Sequence, residues 1–354
     1  MLIPDKTFIS APSPLSPKVD EQLQAFLREW FDDKPYVIAH TSGSTGIPKE
    51  IHLSKVDMRA SADITNAFFG INTRSVLLLC LSVDYIAGKM MVVRALQAGA
   101  ELITVNPSSH PLHDNKRPID LAAMVPLQVE ETLHQEPGCI SAVRQLLIGG
   151  APLPPTVEHC LKTISTSCYA TYGMTETVSH VALRKLNDTP LYTALANIHF
   201  TTDNRGCLII HTPHLSTPYF VTNDLVSLVD SRHFEWFGRF DNVINSGSIK
   251  LFPEIIEHKM APFITSRFFL TTLPDLRLGE RLILAIEISD PDPFSITLLA
   301  NHLRSLLEPY EMPKEIHCFS HFRETENNKI IRDINKLKAL YIYRPQHLPA
   351  GGKN

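Results

Sequence analysis

The N-terminal part of the chain alternates between helical and strand-like spacing of its apolar residues. Residues 19–30 show the helical period, and residues 36–39 form a short apolar run typical of a buried strand. Strand-like runs at 76–81 and 101–105 then flank a helix-like stretch at 87–97. Because parallel strands need a crossover between them, this alternation predicts an α/β arrangement with parallel strands.

A strand-like run at 146–148 precedes a helix-like stretch at 154–163, which continues the alternation. After that stretch the alternation gives way to shorter β-like runs. Between residues 200 and 237, polar turns separate three short apolar runs, at 207–211, 225–229 and 234–237. We interpret this part of the chain as a smaller β subdomain.

The pattern changes again after residue 240, where a glycine-containing turn at 245–248 interrupts the strand-like runs. A strand-like run at 282–288 and a helix-like stretch at 294–307 then indicate a compact α+β unit. The predicted fold class is α/β, with a large N-terminal domain of mixed and parallel sheets flanked by helices, plus the β subdomain. The predicted domains are 1–240 and a small mobile α+β domain at 241–354.

Composition narrows the class of protein. The 354 residues are long for one hydrophobic core, and 44% hydrophobic with 20% charged residues is ordinary for a globular protein. The net charge is −4, and the basic residues are scattered, so we expect neither nucleic-acid binding nor attraction to anionic membranes. The longest apolar run, 76–83, is too short to cross a bilayer, which argues against membrane insertion.

The six cysteines form no CxxC pair, which favours reduced thiols over a disulfide framework. The first 14 residues carry prolines and charges where a secretory signal needs an apolar core. We therefore expect a soluble, cytoplasmic protein. No pattern specifies an oligomeric state.

The sharpest chemical signal is a loop rich in hydroxyl and glycine residues. Its two glycines allow tight turns with outward N–H groups, and its lysine adds a positive charge, so the loop suits a polyphosphate. It lacks the Gly-Lys-Ser/Thr order of a Walker loop. A surface loop of turn-forming residues is the alternative. The residues are Thr41, Ser42, Gly43, Ser44, Thr45, Gly46, Ile47, Pro48 and Lys49.

This loop resembles the phosphate-binding loop of the adenylate-forming superfamily, which includes acyl-CoA synthetases, peptide-synthetase adenylation domains and luciferases. Further motifs of that superfamily follow in the expected order, at 149–154, 169–176, 220–224, 238–257 and 326–332. Together they span nearly the whole chain. The resemblance implies ATP and Mg²⁺ as cofactors, coenzyme A as co-substrate and a small-molecule carboxylic acid as substrate.

The resemblance also assigns roles to single residues. Tyr172 would stack on adenine, Asp224 and Arg239 would contact the ribose, and Glu176 would hold Mg²⁺ as a carboxylate ligand. Lys329 would stabilise the charge on the phosphoryl group, with Thr175 and Glu176 beside it as catalytic residues. The remaining ATP-binding positions, besides the loop, are Gly149, Gly150, Ala151, Thr171 and Gly173.

Three further positions belong to the second half-reaction in this resemblance. Asp241 would be the hinge about which the small domain rotates, and Gly247 and Ser248 would border the coenzyme A channel. The sequence departs from the family pattern at Asn223, Asn328 and Ser248, where relatives have glycine. Asparagine tolerates a left-handed backbone, so we expect the departure at Asn328 to be mild. Serine at position 248 is small, and its effect on thioester formation stays open.

The acid substrate is inferred from a shorter stretch. The loop begins at residue 41, earlier than in most relatives, as though an N-terminal subdomain were missing. Short forms with the sequence found at 238–254 most resemble o-succinylbenzoate–CoA ligases of menaquinone biosynthesis. The ring carboxylate of that acid needs a cation or hydroxyl donors. Lys89 is favoured for this role over Arg94, with Tyr85 and His180 as further candidates.

Two other functions remain open from the sequence. The chain could be another aryl or acyl acid–CoA ligase, or an amino-acid adenylating enzyme with Asp84 as the residue that holds the amino group. It could also be a non-catalytic adenylate-binding protein, although the loop lysine, Glu176, Asp224, Arg239 and Lys329 are all present.

Overall fold

The computed structural model describes residues 9–11, 14–41, 49–324, 330–335 and 337–344. Its helices are α1 (Pro17–Phe31), α2 (Lys55–Phe69), α3 (Ile86–Ala98), α4 (Pro126–Gln135), α5 (Pro155–Leu161), α6 (Pro253–Met260) and α7 (Pro293–Leu306). The first ten strands are β1 (Ile9–Ser10), β2 (Tyr36–Thr41), β3 (Lys49–Ser54), β4 (Val76–Leu79), β5 (Glu101–Thr104), β6 (Ile119–Met124), β7 (Val143–Ile148), β8 (Ser167–Gly173), β9 (His180–Lys185) and β10 (Tyr192–Ala194).

The other strands are β11 (His199–Thr202), β12 (Cys207–His211), β13 (Tyr219–Asp230), β14 (His233–Arg239), β15 (Ile244–Ser246), β16 (Ile249–Leu251), β17 (Phe268–Asp275), β18 (Gly279–Glu287), β19 (Glu315–Phe319) and β20 (Tyr341–Tyr343). The chain divides into two compact units. One comprises Met1–Thr222 with Val226–Trp236, and the other Asn223–Leu225 with Phe237–Asn354.

A twelve-stranded sheet runs in the order β1-β5-β4-β6-β7-β8-β9-β10-β14-β13-β12-β11. The strands from β1 to β8 in this order pair in parallel, and β8 pairs antiparallel with β9, as β9 does with β10. The mixed α/β class predicted from the sequence is confirmed. The β-rich stretch at 200–237 continues the same sheet beyond β9 and β10, where β14 pairs antiparallel with β10 and β11 with β12.

Helices cover both faces of the parallel part of the sheet. Successive side chains of a strand point to opposite faces, so a single strand contributes to two separate buried clusters. Leu77 and Leu79 of β4 pack in one buried cluster with residues of α1, α2 and α3. Leu78, between them, packs in a second cluster with Val129 of α4 and Val157 of α5.

Helix α1 shows how the sequence sets these elements. Ser16 caps its N-terminus by accepting from the N–H of Val19, and Pro17 occupies the first helical turn, where no N–H is needed. Its buried side chains, Leu23, Phe26, Leu27 and Trp30, recur at helical spacing and face the core. Helices α2 and α3 end at Gly70 and Gly99 with φ of 66° and 61°, a conformation that glycine adopts without strain.

The second unit is built around a six-stranded sheet ordered β16-β15-β18-β19-β20, with β17 also paired to β18. Helices α6 and α7 pack on this sheet through Ile256, Met260, Ile296, Ala300 and Leu303. Among the residues described in either unit, no helix combines the length and apolar content needed to cross a membrane.

Candidate active site

The predicted phosphate loop connects the two strands of a separate antiparallel hairpin. β2 ends at Thr41 and β3 begins at Lys49, and these two residues are paired in register. Ser42, Gly43, Ser44, Thr45 and Gly46 lie outside the described residues, as do the side chains of Thr41 and Lys49. Their contact with phosphate therefore stays a prediction.

Gly149 and Thr171 come into direct contact because β7 and β8 are parallel neighbours that end side by side, with Ile148 opposite Ala170. A Cβ added at Gly149 would lie 2.0 Å from Thr171 Oγ1. The Thr171 hydroxyl donates to the carbonyl of Ile148 at 3.3 Å. Gly150 follows with φ of 87°, and Ala151 is exposed. The structure thus joins two motifs that the sequence separates by about twenty residues.

Tyr172 is half-buried and held by other aromatic rings. Its ring centroid lies 5.1 Å from that of Phe234, in an edge-on arrangement, and 5.8 Å from that of Tyr192. The next residue, Gly173, lies at a register shift between β8 and β9, where an added Cβ would approach the carbonyl oxygen of Ser179 to 2.4 Å. Backbone therefore passes close to backbone at this point, which explains the glycine.

Thr175 and Glu176 lie in the tight turn between β8 and β9. Thr177 fixes this turn, since its hydroxyl accepts from the N–H of Met174 at 3.0 Å and donates to the carbonyl of Ser179 at 2.8 Å. Val178 adopts φ of 68°, a strained conformation for a β-branched residue. Glu176 is exposed and has no hydrogen bond or ion pair to any residue in the described ranges, so its carboxylate suits a hard cation such as Mg²⁺.

Successive hydrogen bonds connect Arg94 of α3 with Ser179 in this turn, with His180 at the start of β9 and with Thr65 of α2. The Arg94 guanidinium donates to Ser179 Oγ at 2.6 Å, and Ser179 Oγ lies 3.4 Å from His180 Nδ1. His180 Nε2 lies 3.1 Å from Thr65 Oγ1, whose own proton goes to the carbonyl of Ser61. Because that hydroxyl proton is used, His180 must donate from Nε2 and accept at Nδ1 from Ser179.

Arg94 carries a charge with no described counterion. Its side chain is among the most deeply buried in the protein, its Nε has no hydrogen-bond partner, and no carboxylate of the described residues pairs with it. Burial lowers the pKa of Arg94 to about 10, so it remains protonated at neutral pH. Burial, and then the charge of Arg94, hold the pKa of His180 well below its usual range, which keeps the ring neutral.

Lys89, the lysine favoured from the sequence, lies against α1. Its Nζ is 3.9 Å from Glu29 Oε2 and 4.6 Å from the centre of the Phe26 ring. Burial lowers the pKa of Lys89, while Glu29 and Asp84 act to raise it. Its charge therefore already has a partner, unlike that of Arg94. Tyr85 is exposed and precedes the first residue of α3.

In the second unit, the ribose and hinge candidates cluster around Asp241. Arg239 donates to Asp241 Oδ2 at 2.9 Å, and the Asn223 amide donates to its two carboxylate oxygens at 3.3 and 3.2 Å. Asp224, next to Asn223, is half-buried in β13. Asn223 stands where the motif that this segment resembles has glycine, and its contact with Asp241, the predicted hinge residue, was not predictable from the motif itself.

Gly247 and Ser248 form the two-residue turn of the β15–β16 hairpin. Gly247 has φ of 66° and donates its N–H to the carbonyl of Leu278 at 2.7 Å, whereas Ser248 is exposed. Only the first position of this turn needs the left-handed backbone, so serine is accommodated at the second. The departure from glycine at Ser248 is thus compatible with the turn.

Lys329 lies outside the described residues, but the residues around it are anchored. Glu324 and Ile330 form an antiparallel bridge. Arg332 donates two hydrogen bonds to the carboxylate of Glu257 in α6, at 2.7 and 2.8 Å. This ion pair therefore connects the motif at 326–332, which contains Lys329, with the motif at 238–257, which ends in α6. The sequence did not predict this contact.

Comparison with known proteins gives a consistent result. The family model described as AMP-binding enzyme matches residues 6–199. A probable 2-succinylbenzoate–CoA ligase of Mycobacterium tuberculosis is 27% identical over 332 residues, which are 85% of this chain and 84% of the relative. The 2-succinylbenzoate–CoA ligase of Oceanobacillus iheyensis is 24% identical over 86% of this chain and 69% of its own length.

Solved structures agree on the fold. An acyl-CoA synthetase (AMP-forming)/AMP-acid ligase II-like protein from Dyadobacter fermentans is 35% identical, with a TM-score of 0.61 over 90% of this chain and 93% of that one. An o-succinylbenzoate CoA synthetase from Bacillus subtilis, in complex with an acyl-adenylate intermediate, gives a TM-score of 0.75 at 18% identity, over 85% of this chain and 69% of that one.

Proposed function

The chain belongs to the AMP-binding enzyme family, and from that premise we propose that it is an AMP-forming acid–CoA ligase acting on 2-succinylbenzoate. The relatives named above carry this activity in their names. The observation that supports the substrate assignment is the charge of Arg94, which is buried and has no counterion among the described residues.

The proposed reaction has two steps. A carboxylate oxygen of the acid attacks the α-phosphorus of ATP, the bond to the bridging oxygen breaks, and pyrophosphate leaves. The sulfur of coenzyme A then attacks the acyl carbon, its thiol proton is lost, and AMP leaves. Negative charge grows on the phosphoryl oxygens in the first step, and Lys329 is the residue proposed to stabilise it.

The described residues fit the nucleotide. Gly149 leaves room beside the Thr171 side chain, Gly173 leaves room for the backbone of Ser179, and Tyr172 offers a ring that neighbouring aromatics hold in place. Thr175 and Glu176 follow on the turn after β8. Glu176 would hold Mg²⁺, which neutralises phosphate charge when bound. Asp224 and Arg239 remain the proposed ribose contacts, and 1–240 and 241–354 remain the proposed domains.

The candidate substrates differ in whether they carry a second carboxylate that does not react. 2-Succinylbenzoate keeps a ring carboxylate that does not react, and a charged group in a partly dry site requires an opposite charge. Arg94 offers it and Lys89, already paired with Glu29, does not. Asp84, the residue that an amino-acid substrate would need, accepts from Gln22 Nε2 at 2.5 Å. These contacts favour a dicarboxylic aryl acid over an amino acid.

The test is a coenzyme A-dependent pyrophosphate-release assay with purified protein, ATP and Mg²⁺. We expect 2-succinylbenzoate to give the highest kcat/KM, ahead of benzoate and medium-chain fatty acids, and its thioester to appear by mass spectrometry. Thioester formation with another aryl acid alone would overturn the substrate but leave the ligase class. Pyrophosphate exchange with amino acids would point to the amino-acid adenylating alternative.

A non-catalytic adenylate-binding protein would bind ATP without exchange. Lys329→Ala separates this alternative from an enzyme, because the loss of a preorganised charge should lower the adenylation rate by about 100-fold or more. ATP binding by the variant, measured by calorimetry, should change little. Lys338→Ala, a lysine substitution in the same unit, is the matched control. The cytoplasmic location expected from the sequence remains a proposal.

A further inference from the structure

Three side chains with metal-ligand chemistry meet where the loop after β5 passes the end of α4, and a cysteine contacts one of them. One potential ligand atom each of His110, His113 and Glu136 lies within 4.8 Å of the others. Cys139 Sγ lies 3.3 Å from the same carboxylate, on Glu136 Oε2. None of these residues takes part in the site described above. In the sequence they form His-x2-His and Glu-x2-Cys pairs.

The orientation of the His110 ring is fixed by a hydrogen bond at its Nδ1. His110 Nδ1 lies 3.0 Å from Gln135 Oε1, and the Gln135 amide nitrogen donates to Glu131 Oε2 at 3.1 Å. The amide oxygen therefore faces His110, and an oxygen can only accept, so Nδ1 carries the proton. The lone pair of the ring is then on Nε2. Histidine ligands to metals are generally held in this way, by a hydrogen bond to their other nitrogen.

His110 Nε2 has nothing to bind among the described residues. It is buried without a hydrogen-bond partner, on a side chain only 9% exposed. The nearest opposite group is Glu136 Oε2, at 3.8 Å, too far for a hydrogen bond. A buried, unpartnered lone pair is unfavourable, and here it points at a carboxylate that cannot supply a proton when ionised.

We propose that His110, His113, Glu136 and Cys139 bind a Zn²⁺ ion. Two imidazole nitrogens, a carboxylate and a thiolate are ligand types that zinc prefers, in the number that a closed tetrahedral site requires. His113 Nδ1, at 3.2 Å from Glu136 Oε2, would bind after its proton moves to the solvent-facing Nε2. The Cys139 thiol would release its proton to water.

A bound ion would cross-link neighbouring segments of the chain. The ion would join the loop between β5 and β6 to the last turn of α4 and to the 3-10 helix at Pro137–Ala142. A metal that binds only the folded state stabilises it by mass action. At a hundredfold excess over its Kd, Zn²⁺ should raise the Tm by roughly 5–10 °C.

The test uses the full chain without a histidine tag, stripped of metal with a chelator and titrated with Zn²⁺ against a chromogenic competitor in excess Mg²⁺. We expect one ion per chain with an apparent Kd at or below about 1 μM. His113→Ala and Glu136→Gln remove ligands at exposed positions, where folding should be unaffected, and each should weaken binding by about 30-fold or more. His134→Ala, on α4 outside the cluster, should not.

Two results would overturn the proposal. One is a stripped protein that takes up no stoichiometric Zn²⁺, and the other is binding that His113→Ala and Glu136→Gln both leave unchanged. Co²⁺ reports on the cysteine separately, because a cobalt–thiolate bond gives a charge-transfer band in the near ultraviolet. Absence of that band, or its persistence in Cys139→Ser, would remove Cys139 from the ligand set.

Discussion

The amide of Asn223 donates to both carboxylate oxygens of Asp241, at 3.3 and 3.2 Å. The family motif that this segment resembles has glycine at the position of Asn223, and Asp241 is the proposed hinge between the two half-reactions. Arg239 binds the same carboxylate. The proposed hinge residue of this protein therefore has a neutral partner that the family pattern lacks.

Asn223→Gly tests whether this partner matters for catalysis. The lost hydrogen bond is exposed and contributes about 0.5–1 kcal/mol, so the ratio of adenylation to thioester formation should change by about 2–5-fold. Pyrophosphate exchange and thioester formation are measured separately, with Asn204→Gly, in an exposed turn of the first unit, as control. Equal changes in both half-reactions would exclude a role at the hinge.

Arg94→Lys should impair the use of an acid that carries the ring carboxylate more than the use of an acid that lacks it. Lysine keeps the charge but loses the planar fork, so kcat/KM for 2-succinylbenzoate should fall by about 10–100-fold. An analogue that lacks the ring carboxylate should be used equally by both proteins. Lys89→Met, which removes the charge paired with Glu29, should leave the ratio between the two acids unchanged. Equal losses with both acids would show that Arg94 acts only on folding.

Gly149→Ala should weaken ATP binding, because the new methyl group would lie 2.0 Å from Thr171 Oγ1. Overpacking of this kind typically costs about 1–3 kcal/mol. Thr171→Ala removes the clashing atom, so the double variant should bind ATP better than Gly149→Ala alone. Calorimetric titration measures this, with Gly138→Ala, where a Cβ meets nothing within 4 Å, as control. Strictly additive effects would contradict the contact.

Arg332→Met should destabilise the protein in a pH-dependent way. Glu257 is buried, which raises its pKa, and Arg332 opposes that rise. Without Arg332 the pKa rises further, so the folded variant binds a proton that the unfolded chain releases. The loss, about 3 kcal/mol at pH 8, should therefore shrink as the pH falls towards 5. Urea unfolding at both pH values measures it, and a loss independent of pH would contradict the ion pair.

The sequence predicted the α/β class, several of the helices and strands and the family, because apolar periodicity and contiguous motifs are local signals. It did not predict α2, β6, α4 or β17. Residues 207–211 coincide with β12, while β13 extends well beyond the predicted run at 225–229. Contacts across the sheet were not predictable. Ser179 and Arg94 are 85 positions apart, and Asn223 meets Asp241 only because β13 and β14 bring them together. The sequence favours Lys89 over Arg94, and it could not predict that Glu29 of α1 lies beside Lys89, because that contact depends on how α1 and α3 pack.

The turn between β8 and β9 limits which insertions and deletions the protein can tolerate. The parallel strands before it are connected through longer segments, which tolerate insertions, but β9 returns directly alongside β8. Val181, Ala182 and Leu183 of β9 are all buried, so both faces of this strand are covered. A shift of one residue in its register would therefore put a larger side chain where Ala182 packs. Because Thr175 and Glu176 lie in the same turn, a change in its length would displace these two predicted catalytic residues and disturb the packing of β9 at the same time.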